Sequence, residues 1–357
     1  MNDRTGPQAG LAADADRPAL FSPIALGGYP LGGGYGDVSE DNARRTVDAA
    51  LDHGWTFVDT AESYLQSEVR LGRILEGRRD RVFLATKVFP CEPFTSENLN
   101  RAIRASLRRL RTDRLDLYQV HGPEDWVVRW RETPWDEIGA ALADLVRSGL
   151  ALRIGVCNLT IAQMTALSAH IPLFSTQNLY SLIDRGDQPD PLHLPVETET
   201  LPYAIANNMA FLAYSPLSRG LLSDNLDPAR TFGQDDERYF LPRYQPDVYP
   251  LYVSLARRLQ AWAADHGHSL TQLAVAWTLS KPGVRSALVG AKSPRQVMAL
   301  AGADDWTLTA SQTAEVERIV ATLPAVAKRA RMVIWDHFPP EALASMARRR
   351  RDDLEAL

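Results

Sequence analysis

The sequence predicts an α/β fold, a (β/α)8 TIM barrel with extra helices and a C-terminal extension. Short β-rich runs alternate with longer helical runs eight times along the 357 residues, which is the order expected for eight βα units. The strand runs are continuously apolar, as in parallel strands buried on both faces. A doubly wound open sheet is the alternative, but the glycine-rich stretch 27–36 gives no G-x-G-x-x-G spacing in any register.

The eight strand runs follow one another at regular intervals. In chain order they are SPIALGG (22–28), WTFVDT (55–60), VFLATKV (82–88), LDLYQVH (115–121), LRIGVCN (152–158), LFSTQNL (173–179), MAFLAYSPL (209–217) and RSALVGA (285–291). Helical runs follow them, and Ser39, Ser96 and Ser293 are the predicted N-caps, the last with Pro294 at the first helical position. These signals support the barrel because three of the strand runs are followed by a marked helix start.

Several segments exceed the eight units. Residues 1–20 contain no apolar core of a signal peptide and are expected to form a flexible tail. The barrel domain is predicted over 21–323, with a long loop at 218–246 that has the length of a functional lid. A helix is expected at 309–323, and 324–357 is predicted to be an extension that packs on or near the barrel.

The composition is that of an ordinary soluble globular protein. Apolar residues make up 45% and charged residues 23%, and the net charge of −5 does not favour nucleic acid or acidic membranes as partners. The sequence contains no run of about 18 apolar residues, so no membrane span is expected. The two cysteines, Cys91 and Cys157, form neither a disulfide framework nor a zinc pair. A reduced, cytoplasmic setting without a bound metal is expected, and a homo-oligomer is left open.

Ionisable side chains end three successive strands. Asp59 ends the second strand run, Lys87 the third and His121 the fourth, and Tyr64 follows on the loop after Asp59. In this fold the working residues lie at the carboxyl ends of the strands. A free tyrosine has a pKa near ~10, and a neighbouring ammonium such as Lys87, held by Asp59, would lower it. The set therefore predicts a general acid built from Tyr64, with His121 donating a hydrogen bond to a substrate oxygen.

Each of these residues also has a purely structural interpretation. Asp59 could begin a turn, Tyr64 could pack at a helix entry, and Lys87 could extend to solvent at the barrel rim. His121 alone is more often a satisfied polar residue. The four together favour chemistry, because buried ionisable groups are costly unless they are used or paired.

The end of the eighth strand run carries a second signal. The segment VGAKSPRQ (289–296) leads from a strand through a tight turn into a helix N-terminus, where backbone N–H groups bind anions. Lys292, Ser293 and Arg295 add positive charge and a hydroxyl. A phosphate site is predicted here, and the alternative is a plain capped helix with surface cations.

Three motifs resemble those of the aldo-keto reductases, and the resemblance spans residues 20 to 323. The segments DTAESY, ATKV and DLYQVH match the family's catalytic elements in order and spacing. The resemblance therefore implies a catalytic tetrad of Asp59, Tyr64, Lys87 and His121. The segments SPLSRG and VGAKSP resemble the bacterial, potassium-channel-subunit-like branch of the family more closely than they resemble the aldose reductases.

The resemblance also implies NADP(H) as cofactor, with NAD(H) as the alternative, bound without a Rossmann motif. The residues that it assigns to the nicotinamide are Asn158, Gln177 and Tyr214; to the pyrophosphate Ser215, Leu217 and Arg219; and to the adenosine phosphate Gly290, Lys292, Ser293, Arg295 and Gln296. Substrate-binding walls are expected from Tyr29, Trp126, Trp130 and the loop 218–246.

This chain departs from the family's pattern at four places. Leu65 stands where a glycine usually follows the tyrosine, and His121 is followed by Gly-Pro rather than Trp-Pro. Cys157 replaces a serine, and Ala299 with Leu300 replaces a Glu-Asn pair that often contacts adenine.

The function implied is NADP(H)-dependent reduction of an aldehyde or ketone, such as a sugar or secondary-metabolite carbonyl, to an alcohol. Hydride would come from nicotinamide C4 and the proton from Tyr64. A nucleotide-binding regulatory or redox-sensing protein with slow or no turnover is the alternative. A metal-dependent barrel hydrolase or isomerase is disfavoured, because His121 and Asp59 are too few ligands.

Overall fold

The computed structural model describes residues 21–89, 92–122, 133–186, 194–233 and 236–330. In this part of the chain, eight parallel strands form a closed barrel in sequence order, and the eighth pairs with the first. The strands are β1 Ile24–Gly27, β2 Phe57–Asp59, β3 Phe83–Val88, β4 Leu117–His121, β5 Ile154–Cys157, β6 Ser175–Leu179, β7 Ala210–Tyr214 and β8 Val284–Gly290. The predicted (β/α)8 fold is confirmed.

Helices surround the barrel where the sequence predicted them. Those following the first five strands are α1 Glu40–Asp52, α2 Ser67–Ile74, α3 Ser96–Leu110, α4 Trp135–Arg147 and α5 Ile161–Ser168. The later ones are α6 Leu201–Ala206, α7 Tyr249–Asp265, α8 Leu270–Leu279, α9 Pro294–Met298, α10 Ala310–Ala321 and α11 Ala325–Lys328. A π-helical turn, Val196–Thr200, leads into α6. None of the helices in the described ranges is long and apolar enough to cross a membrane.

The helix starts agree with the sequence except at one residue. Ser39 caps α1 by accepting a hydrogen bond from the Asn42 amide, as predicted. The prediction of Ser96 as the cap of α3 is wrong by one position, because Thr95 has the extended backbone and its hydroxyl accepts from the Asn98 amide. Ser293 occupies the N-cap position of α9, but its side chain makes no capping bond.

The barrel interior is apolar at one end and polar at the other. Phe21, Phe57 and Phe83 pack ring against ring at the amino ends of the strands, with centroids 4.9 to 5.1 Å apart. Two residues further along β2, and four along β3, the inward positions become Asp59 and Lys87. Since alternate strand residues face the same side, the apolar layer supports the polar side chains above it.

The loop 218–246 is more ordered than its sequence suggested. It contains three single 3-10 turns, Ser218–Gly220, Glu237–Tyr239 and Pro242–Tyr244. Of the tail 324–357, only 324–330 lies within the described residues, and the same limit leaves out the predicted N-terminal tail. The carbonyl oxygens of Ala327 and Ala330 accept hydrogen bonds from Tyr252 and Arg243 of the barrel domain. The domain limits themselves stay a prediction.

Candidate active site

One cavity of about 920 Å³ opens at the carboxyl ends of the strands. Most of the residues singled out from the sequence line it: Tyr29, Asp59, Tyr64, His121, Asn158, Gln177, Tyr214, Ser215, Leu217, Arg219, Gly290, Lys292, Ser293, Arg295 and Gln296. Lys87 is fully buried and reaches the cavity floor through its contacts with Asp59 and Tyr64. The predicted substrate residue Trp126, like Trp130, lies outside the described residues.

Lys87, Asp59 and Tyr64 form a buried polar unit at the cavity floor. The Lys87 Nζ lies 2.6 Å from Asp59 Oδ2 and donates to the Thr60 carbonyl at 2.8 Å. It also lies 3.4 Å from the Tyr64 hydroxyl. The Lys87 and Asp59 side chains are 0% and 4% exposed, so the pair is shielded from water and screened little by salt. The ammonium is thereby fixed beneath the phenol.

Two glutamines complete the surroundings of Asp59. Gln119 and Gln177 donate their side-chain amides to Asp59 Oδ1 at 3.2 and 3.0 Å. Gln119 was missed in the sequence, although alternation along LYQVH places it on the same face as His121. Gln177 was found through the family resemblance. Its amide nitrogen holds Asp59, which leaves its carbonyl oxygen as the acceptor that can face a ligand.

The pKa of Tyr64 is raised overall, opposite to the lowered value expected from its proximity to Lys87. Burial raises the pKa of Tyr64 well above its ordinary value, and the negative charge of Asp59 raises it further. The physical reason is that the phenolate would lose its hydration in a closed pocket and would lie near the negative charge of Asp59, and these two effects outweigh the attraction of the Lys87 ammonium. Tyr64 is therefore a neutral phenol at neutral pH, the form that can give up a proton.

His121 is a neutral imidazole in the same pocket. Burial lowers the pKa of His121 well below its ordinary value, and the charge of Lys87 lowers it further. Its ring meets the Tyr64 ring edge-on at 5.8 Å and the Phe89 ring at 5.9 Å. A neutral, sterically fixed imidazole can donate a hydrogen bond without adding a charge to the site.

The loop that carries Tyr64 is fixed on both sides. Its Glu62 accepts a hydrogen bond from the Phe89 amide at 2.6 Å, at the end of β3. Gly32 lies so close that a Cβ there would come 2.1 Å from the Tyr64 carbonyl oxygen, so the loop after β1 packs directly on the Tyr64 loop. Leu65, the residue after Tyr64, has a left-handed backbone with φ 48°.

The end of β5 offers an acceptor that protein groups do not use. The Asn158 Oδ1 is buried and has no hydrogen-bond partner among the described residues. The backbone of Asn158 is left-handed, with φ 55°, and its backbone N–H donates to the Gln177 backbone carbonyl at 3.0 Å. The thiol of Cys157 lies 4.0 Å from Gln177 Oε1, and burial raises the pKa of that thiol to about 12. The NH2 group of a ligand's primary amide could donate to Asn158 Oδ1 and to Gln177 Oε1.

The loop after β7 curls around the neighbouring part of the cavity. Ser215 and Arg219 both have left-handed backbones. The Arg219 guanidinium pairs with Glu237, which in turn accepts from the Tyr29 hydroxyl at 2.7 Å. Glu237 was missed in the sequence, because a single acidic residue within a long loop carries no recognisable pattern. The pair links the loops after β1 and β7 across the cavity.

The predicted phosphate segment is more constrained than its sequence suggested. The Lys292 Nζ donates to the Tyr35 carbonyl at 2.6 Å, and the Lys292 amide donates to Gln296 Oε1 at 2.6 Å. Arg295 is exposed at the rim of the cavity. Because α9 has only five residues, we expect charge from Lys292 and Arg295 to matter more here than a helix dipole.

Comparison with known proteins agrees with this geometry. Residues 23–321 match the model of the aldo/keto reductase family. The aldo-keto reductase YhdN of Bacillus subtilis is 35% identical over 319 residues, covering 86% of this chain and 92% of the relative. The chain belongs to the aldo/keto reductase family. As a member it is an oxidoreductase that uses NADP(H), as its sequence predicted.

Solved structures of reductases are also similar to this chain. The glycerol dehydrogenase AKR11B4 from Gluconobacter oxydans superposes with a TM-score of 0.74 at 30% identity, covering 88% of this chain and 95% of that one. An aldo-keto reductase from Klebsiella pneumoniae in complex with NADPH gives a TM-score of 0.64 at 28% identity, with coverages of 88% and 95%.

Within the described ranges, no three His, Cys, Asp or Glu side chains come together as a candidate metal site. The ionisable groups that do meet are Lys87, Asp59, Tyr64 and His121. They bring one ion pair and two neutral hydrogen-bond donors to the same floor.

Proposed function

We propose that this reductase catalyses the NADP(H)-dependent reduction of an aldehyde or ketone, with Tyr64 as the proton donor. The observation that carries the proposal is the position of the Tyr64 hydroxyl, 3.4 Å from a Lys87 ammonium that Asp59 holds at 2.6 Å. The His121 ring stands beside the phenol at the same floor. A carbonyl oxygen placed there would meet two neutral donors.

The cavity residues fit the cofactor. Asn158 Oδ1 and Gln177 Oε1 can accept the two N–H groups of the nicotinamide carboxamide, and Tyr214 lies beside them on the cavity wall. Ser215, Leu217 and Arg219 would hold the pyrophosphate, and Gly290, Lys292, Ser293, Arg295 and Gln296 the adenosine phosphate. When bound, NADP(H) supplies the hydride to the substrate carbonyl.

The protein's own residues supply the proton and stabilise charge. Tyr64 gives its proton to the substrate oxygen as negative charge develops there, and His121 donates a hydrogen bond to the same oxygen. The phenolate left on Tyr64 is stabilised by Lys87, which is already in position and needs no reorganisation. Preset donors of this kind in a water-poor site are the main source of electrostatic catalysis.

The same residues can work in reverse on an alcohol. Tyr64 would then accept the proton, with Lys87 stabilising the phenolate that acts as base. One similar structure is named as a glycerol dehydrogenase, and others as aldo-keto reductases. The partner that we propose is accordingly a small carbonyl compound or its alcohol, and the preferred direction is for kinetics to decide.

Replacing Tyr64 with Phe tests this proposal. We expect carbonyl reduction to fall by about 10²- to 10⁴-fold, the usual contribution of a general acid, while NADPH affinity changes little. The measurements are NADPH oxidation with a panel of aldehydes, ketones and sugars, and fluorescence titration with NADPH. Tyr203→Phe on α6 is the matched control, since its hydroxyl bonds Thr165 outside the cavity and its removal should leave turnover unchanged.

Two outcomes would contradict the assignment. Turnover of the Tyr64→Phe enzyme close to that of the unmodified chain would show that another group donates the proton. Tight NADPH binding with no turnover of any carbonyl or alcohol by the unmodified chain would instead support the alternative, a nucleotide-binding regulatory or redox-sensing protein.

A further inference from the structure

Leu65 is held in a backbone conformation that leucine disfavours. Its φ is 48°, in the left-handed region where a Cβ crowds the following carbonyl. A branched aliphatic residue reaches this region rarely, and such positions cluster at functional sites. Glycine would adopt the same turn without this cost. The side chain of Leu65 is therefore retained against a local conformational penalty.

Core packing does not compensate for that penalty. Leu65 is 40% exposed, among the few large apolar residues on the described surface, and it is absent from the buried apolar clusters of the barrel. Its exposed face lines the cavity. The apolar surface of Leu65 is thus available to a molecule in the cavity rather than to the protein core.

Leu65 lies at the substrate end of the cavity. It directly follows Tyr64, and its Cδ1 would lie 3.8 Å from a Cβ built on Gly33, in the loop after β1. The Phe89 and Tyr29 rings line the same end, next to the rings of His121 and Tyr64 respectively. Leu65, Phe89 and Tyr29 thus give the cavity aliphatic and aromatic surface beside the proposed proton donor.

The formal charges near this end are already matched. Asp59 is paired with Lys87, and Glu237, which reaches Tyr29, is paired with Arg219. A substrate with a charged group beside its carbonyl would lose hydration without gaining a matched counter-ion from these four residues. An apolar substituent would instead cover exposed surface of Leu65.

We propose that Leu65 is a specificity-determining residue that contacts the apolar substituent on the substrate's carbonyl carbon. The substrate class is then an uncharged aldehyde or ketone with an aliphatic or aromatic group beside the carbonyl, an inference that rests on the proposed carbonyl reduction. Leu65 acts in binding, and the chemistry stays with Tyr64.

Kinetics on a graded series of aldehydes tests the proposal. The probes are butanal, hexanal, octanal and benzaldehyde, with glyceraldehyde as the hydrophilic reference. For the unmodified chain we expect kcat/KM to rise with chain length. For Leu65→Gly we expect the octanal to glyceraldehyde ratio of kcat/KM to fall about five- to tenfold, mainly through KM, as for loss of a partly exposed leucine contact.

Two further variants separate side-chain contact from backbone flexibility. Leu65→Asn keeps a similar size and a residue that tolerates the left-handed region, but it is polar, so the ratio should fall as much as in Leu65→Gly. Arg111→Gly changes another left-handed residue, φ 50°, on the far end of α3, and it should leave the ratio unchanged. Thermal unfolding should show that none of the three is less stable than the unmodified chain by more than a few degrees.

A binding measurement keeps the test independent of turnover. Calorimetric titration of the NADPH-loaded protein, in which an alcohol meets no oxidant, with ethanol, hexanol and octanol should show affinity rising with chain length, and Leu65→Gly should remove most of that rise. If no carbonyl is reduced but this pattern appears, the proposed function fails and the role of Leu65 stands. If affinity does not depend on chain length, or if both Leu65 variants lose equally on all substrates, the role of Leu65 is wrong.

Discussion

At the scale of single residues, the ion pair of Lys87 and Asp59 defines the site. Both side chains are buried, and the ammonium uses its donors on Asp59, the Thr60 carbonyl and the Tyr64 hydroxyl. A buried pair of this kind gives little net stability over an apolar pair, whereas removal of one partner is costly. In the proposed mechanism, the pair stabilises the charge that develops on Tyr64 during proton transfer.

The neutral state of His121 makes a prediction about pH. Its pKa is lower in the folded chain than the ordinary 6.5 of the unfolded chain, so below pH 6.5 the unfolded state binds the proton first. The His121 contribution to stability is then fully present above 6.5 and is lost as the pH falls. Between pH 7.5 and 5.5 we expect the free energy of unfolding to drop by about 1 kcal/mol more in the unmodified chain than in His121→Gln.

Urea unfolding of both proteins at the two pH values checks this expectation. The comparison with His121→Gln removes the contributions of the other titrating groups, which the two proteins share. Equal pH dependence in both would mean that His121 titrates normally in the folded state. The desolvation that lowers the pKa of His121 would then be absent in solution.

At the scale of elements, a buried network joins the Tyr64 loop to α3. Arg109 on α3 pairs with Glu68 at the start of α2 and lies 3.9 Å from Glu62 on the Tyr64 loop. Glu68 also accepts from the Thr86 hydroxyl at 2.6 Å. One guanidinium thus serves two buried carboxylates, and it fixes the loop to the outer face of β3.

Replacing Arg109 with Met tests the importance of this network. It leaves Glu68 and Glu62 buried without their cation, so the free energy of unfolding should fall by about 3–5 kcal/mol, and kcat should fall because the Tyr64 loop loses its support. Arg108→Met, on the exposed side of the same helix, is the matched control and should be close to neutral. Chemical denaturation and steady-state kinetics measure the two effects. A stable Arg109→Met enzyme with normal kcat would show that α3 does not position the loop.

At the scale of the whole molecule, hydrogen bonds connect the loop 218–246 to the start of the C-terminal extension. Arg243 is fully buried, pairs with Asp184 at 2.6 Å and donates to the Ala330 carbonyl at 2.9 Å. The Tyr252 hydroxyl donates to the Ala327 carbonyl at 3.0 Å. Asp184 also accepts from the Ser218 hydroxyl at 2.6 Å, in the loop after β7. Through these bonds, residues 324–330 support the loops that line the cavity.

Truncation at two points tests this support. A chain that ends at Leu323 loses both carbonyl acceptors, and a chain that ends at Ala330 keeps them. Because the buried Arg243 guanidinium and the buried Tyr252 phenol each lose a carbonyl acceptor, the shorter chain should be less stable by about 2–4 kcal/mol, with weaker NADPH binding. Thermal unfolding and NADPH titration of the two chains measure this difference. Equal stability of the two truncated chains would show that residues 324–330 do not stabilise the fold.

The sequence was sufficient for most of the architecture and for identifying the four residues that meet at the cavity floor. Continuous apolar runs and helix starts are local signals, and they identified the eight strands with errors of at most three residues at the ends. DTAESY, ATKV and DLYQVH placed Asp59, Lys87 and His121 at strand ends, where the barrel brings them together. The exception among the caps, Thr95 rather than Ser96, arose because two neighbouring hydroxyls carry the same local signal.

The tertiary structure decided what depends on packing between distant segments. Burial, which only the closed pocket creates, raises the pKa of Tyr64 where proximity to Lys87 suggested a lower one. Glu237 reaches the site from a position without a motif, and the left-handed backbone of Leu65 follows from the fit between two loops. Sequence therefore determined which residues arrive at the strand ends, because that depends on local periodicity. Their protonation, partners and strain were decided by the fold, because desolvation and close contact exist only once the barrel has closed.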